Sequence, residues 1–177
     1  MDQKEIKIPQ ERVAVLIGKA GAVKKRLEEL GKVSMDIDSK EGDVVIEGES
    51  LDVYIAIRVI KAIARGFNPD VAEKLFKDTN TFELIEVQEF VRKSRKKQMR
   101  LKGRVIGQEG KSREYIESFT ETNIVIYGKT IGIIGELERV AMAKQAIEML
   151  LEGSPHGNVY KWLDNKKREL IKRELEG

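Results

Sequence analysis

Leu16-Ile17-Gly18-Lys19-Ala20-Gly21 and Val105-Ile106-Gly107-Gln108-Glu109-Gly110 are two settings of one phrase, an apolar pair running into two glycines three residues apart. Each reads as a tight joint between two short helices. Val13, Leu16 and Ile17 line one face of the helix entering the first phrase, and Val23, Leu27 and Leu30 recur at i, i+4 and i+7 in the helix leaving it. A residue without Cβ lets the backbone turn sharply and lets a bulky anion come up to the main-chain amides. The amides that open the second helix carry partial positive charge, which makes a phosphate the natural visitor.

One such phrase is weak evidence, since two glycines three apart occur often by chance. Two aligned copies are another matter. A shift of 89 residues lays Gly18 on Gly107, Gly21 on Gly110, Leu27 on Ile116 and Leu30 on Phe119. With a two-residue slip, Val44, Ile46 and Gly48 meet Ile131, Ile133 and Gly135. Each copy brings its own strands and helices, so the repeat is a duplicated domain rather than a solenoid.

The 177 residues leave about 70 to 85 for each half, near the lower limit for an independent core. There is no cysteine and a single histidine, His156. That excludes disulfides, thiolate metal sites and cysteine nucleophiles, and makes a cytoplasmic location the simplest expectation. The start, Met1-Asp2-Gln3-Lys4-Glu5, is charged with no apolar run behind it, and no stretch approaches 18 apolar residues, so neither export nor a membrane is expected. The net charge of +3 is unevenly placed: residues 1–78 hold 14 basic against 15 acidic side chains, residues 79–177 hold 19 against 15. Eight cations with no acid among them run into the second phrase: Arg92, Lys93, Arg95, Lys96, Lys97, Arg100, Lys102 and Arg104.

Taken in order, the chain predicts a strand at Ile6 and Ile8, helices over 10–17 and 22–30 with Gly31 as the C′ residue, strands over 34–38 and 44–47, and a long helix capped by Ser50 and ending before Gly66. Residues 67–80 read as a connector with a short helix, packed between the halves because Phe67, Val71, Leu75 and Phe76 are too apolar for a free linker. The second copy opens with a strand over 82–87. A basic insertion then precedes its first helix, followed by a helix over 112–119, strands over 124–127 and 130–134 joined by Gly128-Lys129, and a helix over 137–151. Ser154-Pro155-His156-Gly157 breaks the chain before a last helix over 159–175. The expected domains are residues 1–66, 81–153 and a helical tail, 154–177.

The order β-α-α-β-β-α with Ile-Gly-x-x-Gly between the first two helices resembles the type I KH domain, twice over nearly the whole chain. The resemblance implies an α+β fold, each copy a three-stranded antiparallel sheet with helices on one face, and binding of single-stranded RNA or DNA. In that family the loop clamps the backbone of about four nucleotides beside a shallow apolar groove. Carried onto this chain, the first copy would use Ile17, Gly18, Lys19, Ala20 and Gly21 with Met35 and Ile37, aided by Lys24. The second would use Ile106, Gly107, Gln108, Glu109 and Gly110 with Ile124 and Ile126, aided by Lys111, Arg113, Arg104, Lys102 and Arg100. An isoleucine at such a position is core by default, so the loops carry more of the case. Lys19 favours the first loop and Glu109 disfavours the second, but the cations around the second reverse that ranking and make it the expected main clamp.

Gly103-Arg104-Val105-Ile106-Gly107, Glu109-Gly110-Lys111, Val125 to Thr130 and Glu152 to Tyr160 resemble the archaeal branch of the Dim-two, or partner of Nob-one, family of Krr-type ribosome biogenesis proteins. The stretch from Ser154 to Tyr160 is diagnostic, because nothing in the general KH plan asks for it. The resemblance implies binding near the 3′ end of the small-subunit (16S) rRNA precursor. It also implies contact with the nuclease that trims that end and with the alpha subunit of translation initiation factor two. Eukaryotic relatives have lost the first glycine loop, which this chain keeps, so the residues leave open whether the first copy takes RNA or protein. A protein-only adaptor is the second reading. An enzyme fits least, for the loops lack the Gly-Lys-Ser/Thr ending of a P-loop and the chain calls for no cofactor or metal. His156 reads as a capping or packing residue.

Overall fold

The computed structural model describes residues 1–92 and 94–177, so Lys93, one of the eight clustered cations, lies outside the described residues. The chain divides into two compact units, Met1–Phe82 and Glu83–Gly177.

In the first unit β1 (Asp2–Lys7), α1 (Gln10–Ile17), α2 (Ala22–Gly31), β2 (Ser34–Ile37), β3 (Asp43–Gly48) and α3 (Ser50–Ala64) follow the predicted order. The sheet runs β1-β3-β2 and is antiparallel, with Asp2 opposite Gly48 and Ser34 opposite Glu47. Alternation along β3 sends Val44 and Ile46 inward, both fully buried, against Val53, Ala56, Val59 and Ile60 of α3. Burial of side chains this size is worth about 1.5–3 kcal/mol each.

The connector, α4 (Pro69–Ala72) and a 3-10 turn over Glu73–Phe76, packs on α3 and α2. Arg26 of α2 donates from Nε and Nη2 to the two carboxylate oxygens of Glu73, at 2.5 and 3.0 Å. Phe67 meets Phe82 edge-on.

The second unit repeats the plan: β4 (Asn80–Glu86, which opens inside the first unit), α5 (Arg95–Ile106), α6 (Lys111–Thr120), β5 (Asn123–Tyr127), β6 (Thr130–Glu136) and α7 (Leu137–Leu151), in the sheet order β4-β6-β5. α8 (His156–Glu176) then buries Val159, Leu163 and Leu170 in the same core.

Three local expectations change. Gly31 is the last residue of α2, and the left-handed turn falls on Lys32 at φ 54°. Gly31 is needed for room, since a Cβ there would lie 3.0 Å from the Phe76 ring. Ser50 is the first residue of α3 rather than its cap; Glu49 holds that place without a side-chain cap bond. The basic insertion does not precede the first helix but builds it, for residues 95–104 are the body of α5, capped by Ser94, whose hydroxyl accepts from the Lys97 amide at 3.2 Å.

Candidate nucleic-acid interface

The two glycine loops have the same backbone to within a few degrees. Gly18 and Gly107 sit at φ/ψ of 74/175° and 75/174°, Ala20 and Glu109 at 53/30° and 57/26°, Gly21 and Gly110 at 76/12° and 75/8°. Ala20 and Glu109 are left-handed without being glycine, a strained conformation that clusters at functional sites. The first glycine of each pair has a packing duty as well: a Cβ on Gly107 would lie 2.5 Å from Ser112 Cβ, and one on Gly18 would overlap Val23. Gly21 and Gly110 face open space.

The amides that open α6 are not all available. Gly110 N–H donates to the Gly107 carbonyl at 3.2 Å and Lys111 N–H to that of Gln108.

The cations divide into two groups. Arg104 is structural: its Nε donates to the Leu150 carbonyl at 3.0 Å and its Nη2 to that of Ser154, tying α5 to the end of α7. The sequence expectation set Arg104 among the phosphate contacts, and these two bonds already engage its Nε and Nη2 within the unit. Lys102 reaches across to the β5–β6 turn, donating to the Gly128 carbonyl at 2.9 Å, and Arg113 is paired with Glu117 one turn on. Lys111 lies 3.8 Å from Glu109, both side chains about three-quarters exposed. Arg92, Arg95, Lys96, Lys97 and Arg100 are exposed along and before α5. Lys19 is exposed and Lys24 half-buried, with no ion pair among the described residues.

Of the aliphatic groove candidates, Ile17, Ile37, Ile106 and Ile126 are half-buried and can present an apolar edge. Met35 and Ile124 are 4% and 5% exposed, so both are packed into the core and offer far less surface than the four isoleucines. Helical spacing puts Arg95, Met99, Lys102 and Ile106 on one face of α5, at i, i+4, i+7 and i+11, so the strip leading to Ile106 mixes cationic and apolar groups.

Sequence reasoning missed an aromatic column beside the second loop. Tyr115 stacks on Phe119 with centroids 5.5 Å apart and meets Tyr160 of α8 at 4.1 Å with the rings tilted 40°, while Lys167 lies 4.5 Å over the Phe119 ring and donates to the Phe119 carbonyl. Burial, then the Asp164 carboxylate, pushes the Tyr115 phenol above its ordinary range. The available signal was the i, i+4 spacing of Tyr115 and Phe119 on α6. His156 has a plain structural part, its Nε2 donating to the Arg104 carbonyl at 2.7 Å, and its ring meeting Tyr160 edge-on.

Family models match both halves: a KH domain over residues 3–62 and a eukaryotic-type KH domain of type I over residues 81–168. The chain is 47% identical to a KH domain-containing protein of Methanocaldococcus jannaschii, over 95% of this chain and 75% of that one. It is 35% identical to the pre-rRNA-processing protein PNO1 of Debaryomyces hansenii over 57% of this chain, and spans only 40% of that longer protein. Among solved structures, it resembles a chain in the crystal structure of the a/eIF2alpha–aDim2p–rRNA complex from Pyrococcus horikoshii, with 38% identity, a TM-score of 0.87 and 95% of each chain covered. Two KH units with paired glycine loops, and likeness along nearly the whole length, place the protein: the chain belongs to the PNO1/Dim2 family of KH-domain ribosome-biogenesis proteins.

Proposed function

We propose that this chain is a single-stranded RNA-binding factor in small-subunit maturation, with the second unit as its main clamp on the region near the 3′ end of the small-subunit rRNA precursor. The observation that carries this reading is the second loop: an anion-ready backbone turn, entered by a helix whose outer surface is cationic and free of acids. A phosphate meets the amides of Gln108 and Glu109. Lys111 exchanges its exposed pairing with Glu109, worth no more than about 1 kcal/mol, for the phosphate charge. Ile106 and Ile126 supply the apolar edge for an unstacked base, and Arg100, Lys97 and Arg95 draw the flanking strand along α5. The chain binds without catalysing a reaction, acts in the cytoplasm, and its protein partners are the alpha subunit of translation initiation factor two and the rRNA-trimming nuclease.

One observation favours the adaptor reading instead: Lys111 and Arg113 both have carboxylate partners within the protein. Fluorescence anisotropy of a labelled 3′-end oligoribonucleotide separates the two. A clamp gives affinity that falls as salt rises, with a log–log slope of about −0.7 for each phosphate engaged on a single strand. An adaptor gives absent or salt-insensitive binding.

A further inference from the structure

α3 and α7 are the same element in the two units, each of 15 residues. A shift of 87 residues sets Leu51, Tyr54, Ile55 and Arg58 on Glu138, Ala141, Met142 and Gln145. In the second unit these four α7 positions form one wall of a groove of about 210 Å³ whose other wall is α8. The cover is close: Met142 is 7% exposed, Leu170 opposite it 3%, and Arg173 of α8 reaches Glu138 in the first turn of α7 at 3.9 Å.

The first unit stops short of this arrangement. Its connector packs on α3 and α2, then turns away into β4 at Asn80, and no helix follows the rest of α3 among the described residues. Leu51 is left 69% and Tyr54 62% exposed. The uncovered stripe is more apolar than its covered twin, with leucine for Glu138 and tyrosine for Ala141. Two large exposed side chains at i and i+3, with the half-buried Ile55 beside them at i+4, have the spacing of an interaction surface.

The surrounding charge selects the occupant. Glu49 and Asp52 stand at the start of α3 with no ion pair among the described residues, while Arg58 closes the far end of the stripe. A helix lying antiparallel to α3 therefore meets acids with its last turns, where cations also suit its own dipole. α8 has this pattern, with Arg173 near its end pairing with Glu138. We propose that this α3 face binds a basic amphipathic helix of another protein, laid across it as α8 is laid across α7. The surface is separate from the glycine loops and does not depend on RNA binding.

The test is a selection of displayed helical peptides of α8 length on the full chain. It is repeated on a variant carrying Leu51→Glu and Tyr54→Ala, which installs the α7 residues at two exposed positions. Selected peptides are expected to carry apolar residues at helical spacing with Lys or Arg toward their C-termini. A synthetic representative should lose at least tenfold in affinity on the variant, while the variant's RNA affinity stays unchanged. Peptides that are acidic or patternless, or that ignore the substitutions, overturn the proposal. So does a wild-type dimer in sedimentation that the variant abolishes, which would give the face to a second copy of the chain.

Discussion

Arg104 Nε lies 3.0 Å from the Leu150 carbonyl, and the first unit makes the same contact with an arginine from elsewhere in its helix. Arg12 donates from Nε to Ile63 O at 2.8 Å and from Nη2 to Phe67 O at 2.9 Å. Ile63 and Phe67 are the counterparts of Leu150 and Ser154 at a shift of 87 residues, yet the arginines themselves are 92 apart. The same carbonyls at the end of the long helix are served from two different starting points. The need is physical: the chain leaves each long helix through Phe67 or Ser154, and a guanidinium ties that carbonyl to Ile63 O or Leu150 O, which also accept from Gly66 and Gly153 amides.

Arg104→Ala should therefore lower stability by about 1–3 kcal/mol, the usual effect of losing charge-assisted hydrogen bonds to part-buried carbonyls. RNA affinity of the folded protein should stay within about twofold. Urea unfolding with anisotropy on the same samples checks this; unchanged stability with weakened binding would return Arg104 to the RNA contacts.

The two glycines of the second loop should part company. Gly107→Ala forces a Cβ to within 2.5 Å of Ser112 Cβ and 2.7 Å of its amide, so thermal unfolding should shift down sharply. Gly110→Asp meets open space and pays only for its left-handed backbone, about 1–2 kcal/mol. Its main effect should be a tenfold or greater loss of RNA affinity from the carboxylate placed at the phosphate.

Lys111→Glu should weaken binding more than Lys19→Glu with Lys24→Glu together, because the second loop has the cations of α5 behind it. Arg113→Glu should do less than Lys111→Glu, since Arg113 is engaged with Glu117. Equilibrium titrations at two salt concentrations rank them, and equal losses from both loops would mean that the units share the strand.

Replacing Arg95 and Arg100 with glutamate should flatten the salt dependence, by about 0.7 in slope for each lost phosphate contact. The loss should grow with oligonucleotide length, because α5 rises about 1.5 Å per residue and Arg95 stands roughly 16 Å from the loop. A length-independent loss would place those cations beside the loop instead.

Much of this was legible in the chain. Paired glycine phrases, alternation in Val44 to Gly48 and Ile131 to Gly135, and the long helices that follow define both units. What was hidden shares a cause: it depends on partners far away in sequence. Arg104 looks like one more cation until carbonyls 46 and 50 residues later come within reach. Ile124 and Ile126 alternate with Val125 and look alike, but the depth of the core beneath them differs. Arg95 to Arg104 has strong helix formers without apolar periodicity, so it reads as an insertion although it forms a helix. The column of Tyr115, Phe119 and Tyr160 needs α8 to exist at all.

The central claim is that the second loop is the main clamp on the RNA. Anisotropy of a single-stranded 3′-end rRNA oligonucleotide with Gly110→Asp and, separately, Gly21→Asp tests it most directly, since both glycines share one backbone conformation and both face open space. The account predicts at least a tenfold loss for Gly110→Asp and less than threefold for Gly21→Asp, with both proteins folded. A greater loss from Gly21→Asp, or none from either, would contradict it.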